Sequence, residues 1–107
     1  MDDLRFAGSS LKDLRGFPEA ARRAAGYQLS QVQLGHDPSD WKALSSVAPN
    51  VKEIRIHHSG EFRVIYFAKI QGFVYVLHAF QKKTQKTPKK EIEIAKARLK
   101  LVNETHS

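Results

Sequence analysis

The chain has 107 residues, is 41% hydrophobic, and carries 18 Lys/Arg against 11 Asp/Glu, for a formal charge of +7. That length fits one domain over residues 1–107 with a single core. The absence of cysteine excludes disulfides and thiolate metal sites and makes a reducing cytoplasm the expected setting.

No stretch approaches the roughly 20 apolar residues of a membrane span. Met1-Asp2-Asp3 lacks the basic-then-apolar pattern of a signal peptide. Leu4-Arg5-Phe6 alternates and reads as a short first strand. Ser10-Leu11-Lys12-Asp13 resembles a capping box with Asp in the Glu position, so a helical turn is expected from Ser10 to Gly16. Phe17-Pro18 restarts the helix, with proline at its first position, and Gly35 caps its end after Leu34. Ala21, Ala25, Leu29 and Val32 make one apolar stripe. The alanines and Gly26 keep that face shallow.

Gly35 to Trp41 is rich in turn residues. Asp37 before Pro38 reads as the cap of one short helical turn, pinned by Trp41 and Leu44. Three strands follow. Val51 to His57 has Ile54 and Ile56 on one face and Glu53 and Arg55 on the other. His58-Ser59-Gly60 is a hairpin turn. Glu61 to Lys69 sets Phe62, Val64, Tyr66 and Ala68 against Arg63, Ile65 and Phe67. Gln71-Gly72 turns the chain into Phe73 to Gln81. Both faces of this third strand, Val74/Val76/His78/Phe80 and Phe73/Tyr75/Leu77/Ala79, are largely apolar, so it belongs in the sheet interior.

After Gln81 the chain turns basic and polar, with no acid between Glu61 and Glu91. Residues 82–107 hold eight Lys/Arg and three Asp/Glu, a net +5 of the total +7. Such asymmetry favours a polyanionic partner, although a solvated basic helix accounts for it equally well. Thr87 is expected to cap the last helix and Pro88 to begin it. Ile92, Ala95, Leu99 and Val102 form its buried stripe, and residues 103–107 read as a frayed tail. The pattern is that of an α+β domain with an N-terminal helical hairpin and a C-terminal helix.

Metal chemistry is disfavoured. None of His36, His57, His58, His78 and His106 form a pair at helical ligand spacing, and no carboxylate cluster accompanies them. No phosphate-binding glycine loop or nucleophile elbow is present. Asp37, Asp40, Glu53 and Glu61 are scattered, which argues against a paired-carboxylate hydrolase.

What remains is a basic constellation. Arg55, Arg63, Lys82 and Lys83 come from neighbouring strands or their ends, about 5 Å apart. Converging cations can hold a phosphodiester and stabilise the charge of its transition state. RNA supplies its own nucleophile, the 2′-hydroxyl, so such a site needs no cofactor. Arg55 alternatively makes an exposed pair with Glu53 or Glu61. Arg63 sits among Ile65 and Phe67, where a charge needs a partner or a task. His78 is either a hydrogen-bonded core histidine or a general acid or base. Phe80 is either core or a base-stacking ring. Lys86, Lys89 and Lys90 read as an electrostatic rim.

Glu53-Ile54-Arg55-Ile56, Phe62-Arg63-Val64-Ile65-Tyr66 and the block from Val76 to Pro88 resemble the phage-derived HigB branch of the RelE/ParE toxin superfamily. Phe17-Pro18-Glu19, Gly26-Tyr27-Gln28-Leu29 and Asp37-Pro38-Ser39-Asp40-Trp41-Lys42 fit the same branch. The resemblance implies a small antiparallel sheet with helices against one face. It implies the toxin of a type II toxin–antitoxin pair, partnered by a helix-turn-helix antitoxin, that cleaves mRNA on the ribosome without a metal. Arg55, Arg63, Lys82 and Lys83 carry over as functional positions, with His78 and Phe80 behind them. ParE relatives share the fold and poison DNA gyrase, which leaves a non-catalytic toxin as the second reading and a plain basic RNA-binding module as the third.

Overall fold

The computed structural model describes residues 1–106. In chain order it comprises β1 (Asp3–Phe6), α1 (Ser10–Arg15), α2 (Glu19–Gln33), β2 (Trp41–Ala43), β3 (Val51–Ile56), β4 (Phe62–Phe67), β5 (Phe73–Gln81) and α3 (Lys89–Thr105). The strands form one sheet in the order β1-β5-β4-β3-β2. The run β2-β3-β4-β5 is antiparallel, as short hairpin connections require. β1 adds to it in parallel, pairing Asp3 with Phe73 through Phe6 with Val76. The sheet is therefore mixed at one edge rather than wholly antiparallel.

β5 is an interior strand, flanked by β1 and β4, and this explains its two apolar faces. Helices cover both sides of the sheet, which corrects the expectation of one covered face. α1 and α2 send Leu14, Ala21, Ala25, Leu29 and Val32 onto Ile54, Val64, Tyr66, Val74 and Val76. α3 sends Ile92, Ala95, Leu99 and Val102 onto Val51, Ile65, Leu77 and Phe80. Full burial of each larger aliphatic chain contributes about 2 kcal/mol.

Several local expectations change. Residues 41–43, expected beside a short helical turn, extend as edge strand β2, with Trp41 opposite Ile54. Asp37 caps nothing and pairs with Lys52 at 2.8 Å. Ser10 is fully buried and donates its hydroxyl to the Val76 carbonyl at 3.1 Å, so it anchors α1 to β5 instead of capping it. Pro18 and Pro88 sit one position before their helices, and Thr87 donates to Glu53 rather than to a helix end. Gly26 is exposed, with open space where a Cβ would sit, so the alanines alone make the stripe shallow. The tail is ordered through Thr105, and the His106 ring packs on Phe73 and Tyr75. Ser107 lies outside the described residues.

One irregularity decides the geometry of the site. Ile65 pairs with His78, but Tyr66 pairs with Val76, so β5 carries one extra residue there. This bulge shifts the alternation by one. Val74 and Val76 face α2, whereas His78 and Phe80 join Leu77 on the α3 side, together with Arg63. Strict alternation had grouped His78 and Phe80 with Val74 and Val76.

Candidate active site

Arg63 leaves β4 on the α3 face, directly opposite Arg55 on β3 and Phe80 on β5. Two opposed arginines repel each other, and three carboxylates offset that. Glu53, two residues before Arg55 on the same face, has no solvent exposure. Its Oε1 lies 3.8 Å from Arg63 Nε and 3.9 Å from Lys42 Nζ. Its Oε2 accepts a 2.8 Å hydrogen bond from Thr87 Oγ1. Asp40 lies 3.6 Å from Arg55 Nη1. Glu61 Oε1 accepts from both Arg63 Nη1 and Nη2 at 3.2 Å.

The Thr87 bond fixes the far end of the basic loop. Lys82 N donates to Glu61 O at 2.8 Å and fixes its near end. Between these anchors the loop crosses the sheet from β5 to β3. Glu61, Arg63, Lys82, Lys83, Thr84 and Gln85 thereby line an open depression of about 560 Å³. Arg63 is 5% exposed, so a nearly buried guanidinium faces this depression while lysines stand at its edge. Burial, followed by the charge of Arg63, holds the Lys82 ammonium below its ordinary value.

Arg55 adjoins Arg63 but does not line the depression. Lys86 and Lys89 line a neighbouring hollow with Lys42, Thr87 and Lys96. Lys90 is exposed on the first turn of α3. His78 is buried under α3, with Nε2 on Glu91 at 3.1 Å and Nδ1 facing Arg98 Nη1 at 3.2 Å. Phe80 is 8% exposed and stacks on His78, with ring centroids 5.1 Å apart. It borders a separate groove with Phe17, Phe62 and Gln81. Neither His78 nor Phe80 reaches the basic depression.

A linear network that the sequence does not reveal joins these charges. His57 Nε2 lies 2.6 Å from Asp40 Oδ2, and Nδ1 lies 2.8–2.9 Å from the Glu61 carboxylate. Arg55, Asp40, His57, Glu61 and Arg63 thus form one chain of alternating charge. Asp40 and Glu61, read as scattered, meet at one imidazole. No sequence signal could show this, because β2 and the β3–β4 turn converge only in the folded sheet. Glu53 did carry a signal: it shares a strand face with Val51, which packs under α3. Among the described residues no group of three His, Asp or Glu side chains is arranged to hold a metal ion. The His57 ring lies between its carboxylates as a hydrogen-bond donor.

The hydrogen bonds to Asp40 and then Glu61 raise the pKa of His57, and the same contacts lower those of both acids. Their ordinary values are 6.5 for His57, 3.8 for Asp40 and 4.5 for Glu61. The histidine's contribution to stability is complete below 6.5 and disappears as pH rises through its raised folded value. The acids' contributions are present above 3.8 and 4.5 and disappear as pH falls through their lowered values. The melting-temperature deficit of His57→Gln is therefore expected to be widest between about pH 4.5 and 6.5, narrowing on either side. All three groups are substantially exposed, so screening keeps the deficit small. A deficit independent of pH in a melting series would show that the network contributes nothing.

A family model described as "Phage derived protein Gp49-like (DUF891)" matches residues 12–100. The chain belongs to this Gp49-like family. Among curated proteins, none matches it in sequence. Two solved structures resemble the Gp49-like domain. A chain of the intact E. coli RelBE toxin–antitoxin complex superposes with a TM-score of 0.64 at 19% identity, covering 78% of this chain and 100% of that one. A free E. coli toxin RelE carrying two Arg-to-Ala changes gives 0.62 at 16% identity, covering 92% and 95%. The Gp49-like domain has the RelE fold.

Proposed function

We propose that this Gp49-like protein is the toxin of a type II toxin–antitoxin pair, of the HigB kind, and that it cleaves mRNA on the ribosome without a metal. The observation that carries the reading is Arg63: a 5%-exposed guanidinium, held by Glu53 and Glu61, opening onto a lysine-edged depression. The RelE fold and its occurrence in a toxin–antitoxin complex support the biological setting. Arg63 binds the scissile phosphate and stabilises the charge that develops on it, and Arg55 beside it adds positive potential. Lys82, at the edge of the depression beside Arg63, accepts the proton of the 2′-hydroxyl in its neutral amine form, while Lys83 neutralises the backbone. Lys86, Lys89 and Lys90 extend the electrostatic track. His78 and Phe80 serve packing rather than chemistry. The partner that neutralises the basic face is a small antitoxin with a helix-turn-helix segment.

Induced expression tests both parts. Protein synthesis is expected to stop and mRNA fragments to appear, and co-expression of the adjacent small reading frame is expected to restore growth and to co-purify. The Lys82→Ala/Lys83→Ala double variant is expected to lose more toxicity than either single change. Growth arrest with intact mRNA and DNA damage would favour a gyrase poison instead. RNA retention with neither arrest nor cleavage would leave a simple binding module.

A further inference from the structure

Cleavage of the phosphodiester also needs a group to protonate the leaving oxygen. Geometry around Glu61 points to one. Its Oε1 is bracketed by Arg63 Nη1 and Nη2, both at 3.2 Å, and by His57 Nδ1 at 2.9 Å. A carboxylate oxygen held by a guanidinium and an imidazole marks where an anionic oxygen fits. Glu61 is exposed and immediately precedes β4, after a turn containing Ser59 and Gly60 at positive φ, so it can swing aside. A phosphodiester taking its place on Arg63 brings its own oxygens within reach of His57.

We propose that His57 is the general acid of RNA cleavage, an inference that rests on the endonuclease reading. Asp40 is its positioning residue. The carboxylate at 2.6 Å from Nε2 fixes the ring and stabilises the imidazolium, leaving the Nδ1 proton directed at the site. The charges facing the ring are Asp40 and Glu61, with Arg55 and Arg63 behind them. In the reaction the 2′-oxygen attacks phosphorus and yields its proton to Lys82 in its neutral amine form. The bond from phosphorus to the 5′-oxygen breaks, and that oxygen takes the Nδ1 proton of His57. The products are a 2′,3′-cyclic phosphate and a free 5′-hydroxyl. Solvent then returns a proton to His57 and removes one from Lys82.

The test uses ribosomes loaded with mRNA that carries, at the mapped cleavage position, either the natural linkage or a 5′-bridging sulfur. Sulfur leaves as a thiolate and needs no acid. His57→Gln is expected to slow cleavage of the natural linkage about a hundredfold or more, and to cut the sulfur linkage within a few-fold of the unaltered protein. His57→Asn serves as a second variant, with thermal melting as the folding check. Equal slowing of both linkages, or an unchanged rate on the natural one, overturns the role while leaving the endonuclease reading intact. If the unaltered protein cuts neither mRNA, the endonuclease reading and this role fall together.

Discussion

Arg63→Ala is expected to abolish mRNA cleavage and toxicity. Arg63 places two N–H donors on one oxygen position, and removing one such transition-state donor costs about 3 kcal/mol, a hundredfold or more in rate. The substitution also leaves buried Glu53 without its guanidinium neighbour, so a loss of folding must be separated from a loss of chemistry. Arg63→Lys provides the separation. It keeps a cation near Glu53 but cannot present the planar fork of a guanidinium. The lysine variant is expected to melt near the unaltered protein while losing most of its cleavage activity. Full toxicity from a folded Arg63→Ala protein would remove the phosphate site from this depression.

The second large effect is expected at Glu53, a residue closed to solvent. It is completely buried, lies 3.8 Å from Arg63 Nε and receives Thr87 at 2.8 Å. Glu53 Oε1, Arg55 Nε and Arg63 Nε are buried without hydrogen-bond partners, so the cluster is held by charge more than by hydrogen bonds. Removing one member of a buried ionic set leaves the other charge uncompensated, at a cost of about 3 kcal/mol. Glu53→Ala is therefore expected to lower the melting temperature by roughly 10 °C or more. Cleavage should also fall in the protein that remains folded, because the basic loop loses its anchor on β3. Thr87→Val removes that anchor alone and should reduce cleavage with little change in melting. A Glu53→Ala protein that melts within two or three degrees of the original would show that Glu53 is a passive passenger of the sheet.

The sequence by itself determined the larger frame. Apolar spacing of three and four residues marked α2 and α3, and Phe73–Gln81 was bounded correctly because two apolar faces leave only an interior strand. Period-2 alternation set Arg55 against Ile54 and Ile56, and Arg63 against Phe62 and Val64, since neighbouring side chains on a strand must diverge, while the β3–β4 register placed the two arginines opposite each other. The basic block after Gln81 was visible as composition. Tertiary structure alone decided the rest. The bulge between Ile65 and Tyr66 turned His78 and Phe80 to the α3 side, where Glu91 and Arg98 enclose the histidine. A single inserted residue reverses every later side chain, and nothing in the local pattern announces it. β2 was unreadable because three residues hold an extended conformation only through pairing with β3. Thr87 looked like a cap because threonine favours that position, yet buried Glu53 supplies the stronger acceptor. The meeting of Asp40, His57 and Glu61 depends on the β3–β4 turn folding back beside β2. Contacts across 17 residues of chain leave no periodic trace, so the network that ends on Arg63 exists only once the sheet has closed.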